Sequence, residues 1–222
     1  MKYYLSNIVM DEYPDSPREW DNLGIIAASH KRYDLADADA MDVEDFFEDL
    51  PSIEKDYLYL PVYMYEHGDI SLSTTPFSCP WDSGQVGYIY ASKESIKKEF
   101  EVEEITDDII EKVYNIFEIE IKTYSQYINN ETYEILTYEL DKGQVEDIIQ
   151  YLPEDWAEKY ELMNTEDRIE FSKRYFMLED ECNMPGKLVG SCGGYYDLEF
   201  AEEDALNTIS CYINGEQDTE DV

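Results

Sequence analysis

The segments YLYLPVYMY at residues 57–65 and QVGYIYAS at residues 85–92 decide the fold class of this chain. Both are rich in tyrosine, valine, isoleucine and leucine, which favour β-strands. A third strand candidate, residues 70–74, lies between them, and the turn-forming segments HGD (67–69) and CPWDSG (79–84) separate the three. The simplest arrangement of these segments is a three-stranded antiparallel meander.

The flanking sequence predicts helices that pack on this sheet. A Ser-Pro-Arg-Glu capping pattern predicts a short helix at residues 17–23, anchored by Trp20. Apolar residues at spacings of three and four predict a longer helix at residues 106–128. Residues 3–10 and 131–140 are further strand candidates. We therefore predict an α+β fold, with an antiparallel sheet of about four to six strands, helices packed around it and an acidic surface.

We expect one core domain that carries a helical insertion. Residues 1–140 form the predicted α+β core domain, residues 141–187 a helical insertion or subdomain, and residues 188–214 a return to the core. Residues 215–222 are predicted to be a disordered acidic tail. The helices expected within the insertion are residues 143–151, 154–163 and 165–178.

The composition is strongly acidic along the whole chain. The 222 residues include 53 Asp and Glu but only 16 Lys and Arg, which gives a formal net charge of −37. Each third of the chain is acidic, so the charge is not confined to a tail. Self-repulsion of this size destabilises a compact state, yet the hydrophobic fraction of 43% supplies enough apolar surface for a core. A folded protein that keeps such a charge is expected to use its negative field to attract or exclude a partner.

The sequence contains no recognisable membrane segment or cofactor motif. No apolar run approaches the ~20 residues that span a bilayer, and the N-terminus lacks the pattern of a signal peptide, so we expect a cytoplasmic protein in the host cell. The four cysteines are widely spaced without a CxxC pair, and no glycine-rich nucleotide motif is present. We therefore expect no cofactor and no metal.

Candidate catalytic residues are few, because the chain has only two histidines, His30 and His67. Cys79 with His67 could form a thiol nucleophile site, but the surrounding Ser-Cys-Pro-Trp sequence lacks the spacing of papain-like enzymes. We predict no catalytic residues, and we keep a small hydrolase or ligand sponge that uses Cys79 and His67 as one alternative. The same loop carries Phe77 and Trp81, and both rings are expected to pack inward.

Four sequence blocks resemble a known family. SPREWDNLG at residues 16–24, HKRYDL at 30–35, STTPFSCPWDSGQVGYIY at 73–90 and SCGGYY at 191–196 are similar to uncharacterised proteins carried by bacteriophages and mobile elements of low-GC Gram-positive bacteria. Residues 152–184 look like an insertion relative to that family. The resemblance implies a phage context and no particular chemistry.

Phage context and extreme acidity together resemble the DNA-mimic antirestriction proteins such as Ocr and ArdA, although no motif of either is present. Duplex DNA carries one charge per ~1.7 Å, so 37 net charges correspond to roughly 63 Å, or about 18 base pairs. The leading hypothesis is a non-enzymatic phage inhibitor that occupies the DNA-binding groove of a host restriction, CRISPR or related defence protein. Its partner would be a basic DNA-binding protein, with no direct binding to nucleic acid or membrane, and a homodimer would extend the DNA-like surface.

The residues expected to contact this partner are exposed acids on helical segments. They are Asp37, Asp39, Asp42, Asp45, Glu48, Asp49, Glu101, Glu103, Glu104, Asp107, Asp108, Glu111, Glu154, Asp155, Glu158, Glu199, Glu202, Glu203 and Asp204. The other alternative is a defence-protein inhibitor that binds through a different surface, the loop of Phe77 and Trp81, with the charge serving solubility.

Overall fold

A computed structural model describes residues 2–48, 50–141, 143–144 and 186–220 of the chain. In this part of the chain the strands are β1 (Tyr3–Met10), β2 (Ile25–Ala28), β3 (Tyr57–His67), β4 (Asp69–Ser73), β5 (Ser83–Ser92), β6 (Tyr133–Leu140) and β7 (Lys187–Tyr195). The helices are a 3₁₀ helix (Pro17–Glu19), α1 (Val43–Glu48), α2 (Leu50–Asp56), α3 (Lys93–Glu99), α4 (Asp107–Ile128) and α5 (Leu198–Glu220). The predicted α+β class is confirmed. None of the described helices combines the length and the apolarity that crossing a bilayer requires.

The chain divides into two compact units. The central unit comprises Asp15–Asn130, and the terminal unit comprises Met1–Pro14 together with Glu131–Val222. The predicted core domain of residues 1–140 is therefore shared between both units, because β1 pairs with β6 and not with the central strands. Most of the expected insertion at residues 141–187, with its three helices, lies outside the described residues.

The central unit is built on a four-stranded antiparallel sheet in the order β2-β5-β3-β4. The strands predicted at residues 57–65, 70–74 and 85–92 are confirmed as β3, β4 and β5. The predicted meander order is wrong, because β5 pairs with β3, with Tyr59 opposite Tyr90, and β4 is left at the sheet edge. Strand β3 has 11 residues and pairs with β5 on one side and with β4 on the other. Strand β4 has only five residues and, in the described part of the chain, pairs with β3 alone.

Alternating side chains give the central sheet two differently covered faces. On one face, Ile89 belongs to an apolar cluster with Phe117 of α4. On the other face, Tyr88 and Tyr90 lie against Phe46 of α1, with ring centroids 5.0 Å apart in each pair. Phe46 and Phe117 are fully buried, and each such burial contributes roughly 1.5–3 kcal/mol. Helices α1 and α2 thus cover one face of the sheet, and α4 covers the opposite face.

The terminal unit is a three-stranded antiparallel sheet in the order β1-β6-β7, with α5 packed against it. The buried stripe of α5 consists of four apolar residues at spacings of four, Ala201, Ala205, Ile209 and Ile213. We expected residues 188–214 to rejoin the core domain. They instead form most of β7 and the first part of α5, which pack with β1 and β6 in the terminal unit. Helix α5 extends to Glu220, into the segment predicted as a disordered tail.

The pairing of β2 with β5 depends on Gly87. The register between β3 and β5 shifts at Val62 and Tyr63, beside this glycine. A Cβ atom on Gly87 would lie 2.0 Å from the carbonyl oxygen of Ala27 and 2.7 Å from the Cα of Ala28. No side chain fits there without separating the two strands, so the close approach of the two backbones requires glycine.

Gly87→Ala is expected to lower the free energy of unfolding by about 2–4 kcal/mol, because its methyl group would push β2 away from β5. The matched control in the same strand is Gly84→Ala, since a Cβ at Gly84 meets nothing within 4 Å. The control should change stability by less than about 1 kcal/mol. Urea unfolding followed by circular dichroism measures both variants, and equal midpoints would contradict the packing described at Gly87.

Candidate functional site

Arg18 is the centre of a buried ion-pair network in the central unit. Its Nε donates to Asp37 Oδ1 at 3.0 Å and its Nη2 to Asp37 Oδ2 at 2.6 Å, while its Nη1 donates to Glu120 Oε2 at 3.2 Å. The side chains of Arg18, Asp37 and Glu120 are only 9%, 13% and 10% exposed. The prediction that Asp37 is an exposed partner-binding acid is wrong, because Arg18 holds its carboxylate inside this network.

The same network shapes the chain that follows Arg18. Leu23 and Gly24 donate their backbone N–H groups to Glu120 Oε1 at 3.0 and 3.2 Å. To reach this carboxylate the chain must leave helical geometry early. The helix expected at residues 17–23 is therefore only the 3₁₀ helix Pro17–Glu19.

Burial and charge act in opposite directions within the network. Burial lowers the pKa of Arg18, but the hydrogen bond and charge of Asp37, and then those of Glu120, outweigh it, so this pKa lies above its ordinary value. Burial raises the pKa of Glu120, although the Gly24 N–H and Arg18 partly offset the rise. The single cation is what allows two carboxylates to stay buried at this place.

A cleft of about 530 Å³ opens beside the network, and we call it the Trp20 cleft. Its lining includes Ser16, Glu19, Trp20, Asp21, Asp39 and Tyr124. Trp20 is 49% exposed, so it is not the buried anchor expected from the sequence. Tyr124 is only 8% exposed, and its hydroxyl has no hydrogen-bond partner among the described residues. The cleft thus brings two aromatic side chains together with three exposed carboxylates.

The first group of predicted acids lies on α1 and in the loop before it. The α1 acidic group consists of Asp39, Asp42, Glu44, Asp45 and Glu48, all of which are exposed. Val43 and Phe46 bury the inner side of α1, which turns the acids outward. Residues 34–54 contain nine acids and no lysine or arginine, so no cation of this segment neutralises the group. Glu44 is an addition to the predicted set, and Asp49 lies outside the described residues.

The second group of predicted acids lies at the start of α4. The α4 acidic group consists of Glu101, Glu103, Glu104, Asp107, Asp108 and Glu111, all of which are exposed. Because α4 and α1 cover opposite faces of the central sheet, the acids on α4 and the acids on α1 project from opposite faces. Lys97, Lys98 and Lys112 border the α4 acidic group in the sequence, and Lys112 pairs with Asp108 at 2.7 Å.

The remaining predicted acids belong to the terminal unit. Glu154, Asp155 and Glu158 lie outside the described residues. Near the start of α5, Glu199 and Glu203 are exposed and Glu202 is half-buried. Asp204 accepts a hydrogen bond from the hydroxyl of Tyr195, and burial followed by this bond raises the pKa of Tyr195. Asp204 therefore ties α5 to β7 and is not a free surface acid.

The loop between β4 and β5 turns Trp81 away from the core. Trp81 is 91% exposed, so the prediction that its ring packs inward is wrong. Phe77 is half-buried, with its ring centroid 5.6 Å from that of Tyr65. Ser83 Oγ donates to the carbonyl oxygen of Cys79 at 2.5 Å and closes the turn that carries Trp81 outward.

Asp82 lies between the candidate nucleophile and the candidate base. The Cys79 thiol donates to Asp82 Oδ2 at 3.6 Å, and the same oxygen lies 3.4 Å from His67 Nδ1. A thiol is activated when a base such as imidazole takes its proton, but here a carboxylate occupies that position. His30 stacks on Tyr33, with ring centroids 5.2 Å apart. In the described part of the chain, no group of three or more histidine, cysteine, aspartate or glutamate side chains could hold a metal ion.

Arg18 and Tyr124 are the most informative of the site residues that sequence reasoning missed, which also include Glu19, Asp21, Glu44 and Glu120. Arg18 is the only lysine or arginine between Lys2 and Lys31. A lone cation in an acidic stretch is a usable signal for a buried ion pair, because carboxylates are rarely buried without a partner. Tyr124 continues the apolar spacing of α4, so nothing in its sequence context distinguishes a ring that lines a cleft from one inside the core.

Comparisons of this chain with protein-family models, with curated protein sequences and with solved structures find no match. The resemblance to a phage protein family stays a prediction. The function therefore has to be inferred from the geometry and charge of the surfaces described above.

Arg18→Met is expected to lower the free energy of unfolding by about 3–5 kcal/mol, because it leaves two buried carboxylates without a cation. The loss should shrink as the pH falls from about 7 to about 5. The pKa of Glu120 is already raised, and removal of Arg18 raises it further. The folded variant then takes up a proton at a higher pH than the unfolded chain does, which stabilises it in acid.

The matched control is Arg32→Met, which breaks an ion pair with Glu66 in which the arginine side chain is 65% exposed. Exposed pairs contribute about 0–1 kcal/mol, so this variant should stay close to the wild type. Urea unfolding of both variants at several pH values tests the difference. A loss at Arg18 no larger than the loss at Arg32 would show that the buried network does not stabilise the central unit.

Proposed function

We propose that this protein is a non-enzymatic, phage-encoded inhibitor that occupies the DNA-binding groove of a host defence protein as a DNA mimic. The observation that supports this function is the α1 acidic group, five exposed carboxylates within residues 39–48, on α1 and in the loop before it. No lysine or arginine interrupts residues 34–54. A basic groove that normally holds phosphates would meet a continuous negative surface there.

The spacing of these carboxylates matches the scale of a phosphate backbone. A helix rises about 1.5 Å per residue, so Glu44 and Glu48 lie about 6 Å apart along α1. With Asp45 between them, this turn carries three charges. One strand of duplex DNA carries one charge per about 3.4 Å of axis, which is nearly the same density.

The α1 acidic group is a better contact surface than the α4 acidic group. The acids on α1 and the acids on α4 project from opposite faces of the central sheet, so a single flat interface reaches only one of these two helices. Lysines border the α4 acidic group on both sides in the sequence, and they would repel a basic groove. Arg32 and Lys55 border the α1 acidic group in the same way, but the stretch without lysine or arginine is longer there, residues 33–54 against residues 99–111.

A second candidate function is inhibition of a defence protein through the loop of Phe77 and Trp81, with the charge serving solubility. The 91% exposure of Trp81 favours it, since tryptophan is enriched among the residues that anchor protein interfaces. The two functions differ in their salt dependence. Binding that replaces phosphate contacts weakens steeply with salt, whereas binding through an apolar anchor does not.

The experiment is displacement of a fluorescently labelled DNA duplex from a panel of purified restriction and CRISPR effector proteins. The wild-type chain should release the duplex from at least one of them. Its affinity should fall by about a hundredfold or more between about 50 and about 200 mM salt, as expected when about four phosphate contacts are replaced. Failure to release DNA from any member, or release that is indifferent to salt, would contradict the proposal.

Two variants with equal changes in charge locate the contact surface. The α1 variant carries Asp42→Asn, Glu44→Gln, Asp45→Asn and Glu48→Gln. The α4 variant, which is the control, carries Glu103→Gln, Glu104→Gln, Asp107→Asn and Glu111→Gln. The α1 variant should displace DNA at least about tenfold less well at low salt, and the control should keep most of its affinity. Equal losses in both variants would contradict binding through the α1 acidic group, and a loss confined to Trp81→Ala would favour the second candidate function.

A further inference from the structure

We infer that the Trp20 cleft binds one arginine side chain of the partner protein. This inference rests on the proposed function, because it assigns a place to one basic residue of the groove that the α1 acidic group contacts. The cleft measures about 530 Å³, which lies within the range of about 300–1,000 Å³ typical of small-ligand sites. The end of one long side chain fits in this space.

The carboxylates that line the cleft select a cation. Glu19, Asp21 and Asp39 are exposed in its lining, and none of them pairs with a lysine or arginine in the described chain. Arg18 also reaches the cleft, but its guanidinium is already held by two buried carboxylates. The cleft therefore offers unpaired negative charge to a ligand and would repel an anion.

Trp20 and Tyr124 supply the two further contacts that a guanidinium group uses. The half-exposed indole of Trp20 lines the cleft, and a planar cation is attracted to such a face within about 6 Å. Tyr124 is only 8% exposed and lines the cleft, and its hydroxyl makes no hydrogen bond to another described residue. A hydroxyl oxygen is an acceptor, so it can take a hydrogen bond from a donor that enters the cleft.

These groups favour arginine over lysine. A guanidinium is planar, weakly hydrated and presents five N–H donors in a fixed fork. It can therefore lie on Trp20 while it donates to Asp39 and to the Tyr124 hydroxyl. An ammonium group would satisfy the carboxylates but would lose the stacking contact.

The wall of the cleft is held in place before a ligand arrives. Ser16 Oγ accepts the Arg18 backbone N–H at 3.2 Å, and Asn22 Nδ2 donates to the Pro17 carbonyl oxygen at 2.7 Å. The Arg18 side chain also donates to the Gly24 carbonyl oxygen at 2.6 Å. A wall fixed by these bonds loses little conformational entropy on binding, which raises the affinity for a small group.

The probe is N-acetyl-L-arginine methylamide, titrated into the full chain and followed by proton–nitrogen NMR. We expect a saturable shift of the Trp20 indole N–H signal and of the backbone signals of residues 16–24, with no shift of the Trp81 indole. The lysine analogue should bind more weakly. The citrulline analogue, which has the shape of arginine without its charge, should not bind.

Three substitutions in the cleft test its contacts. Trp20→Ala should weaken binding of the probe about tenfold, and Asp39→Asn and Tyr124→Phe about threefold to tenfold each. Trp81→Ala is the control, since it removes an exposed tryptophan outside the cleft. If Trp20→Ala disturbs the fold, the affinity of Asp39→Asn for the probe is the test of the cleft, because Asp39 is exposed and its substitution removes no packing contact.

Three results would overturn the inference: no saturable shift at Trp20, equal shifts at Trp20 and Trp81, or equal binding of the citrulline analogue. Its failure is distinguishable from failure of the proposed function. Probe binding to a chain that displaces no DNA would support an arginine site while overturning the DNA-mimic role. Salt-sensitive displacement of DNA that Trp20→Ala leaves unchanged would keep the DNA mimic and overturn the role of the cleft in it.

Discussion

One buried cation, Arg18, joins parts of the central unit that are far apart in the chain. It holds Asp37 from the loop before α1 and Glu120 from the middle of α4. Burying charges is costly, and such a network rarely adds much net stability compared with apolar residues of the same size. Its main effect is on geometry. Glu120 also accepts the backbone N–H groups of Leu23 and Gly24, and Asp37 accepts that of Ile26 in β2. The stretch between the 3₁₀ helix and β2 is therefore fixed in one position and forms a wall of the Trp20 cleft.

The scarcity of cations that makes Arg18 important also leaves the surface charged. The central unit has 26 acids and nine bases, and one of those bases is enclosed in the network. Repulsion among the remaining acids opposes folding, although water and salt screen it at the surface. The two apolar clusters, one on each face of the central sheet, offset this repulsion. An acidic surface of this kind is therefore compatible with a folded unit only because the sheet is covered on both faces.

Local patterns in the sequence were sufficient to predict β3, β4, β5 and α4, because strand propensity and helical spacing depend on residues that are close together in the chain. They were not sufficient for the order of the strands or for the sheet of β1, β6 and β7, since pairing between distant segments leaves no local periodicity. The same limit applies to the site. The acids of α1 are exposed as expected, but the burial of Asp37 depends on a cation 19 residues away. Trp81 and Trp20 are exposed because the turns that carry them are fixed by hydrogen bonds that composition does not specify.

Charge alone would make a poor inhibitor, because every basic nucleic-acid-binding protein in the cell would compete for it. Long-range attraction raises the rate of association and gives an affinity that falls with salt, whereas the lifetime of a complex depends on a few well-packed contacts. The α1 acidic group and the Trp20 cleft share Asp39, so under the proposed function a partner drawn to the first would be brought to the second. A cleft shaped for one planar cation would discriminate between grooves of similar charge. In the proposed function, selectivity would come from the position of a single arginine in the partner, while the acidic surface would supply the attraction.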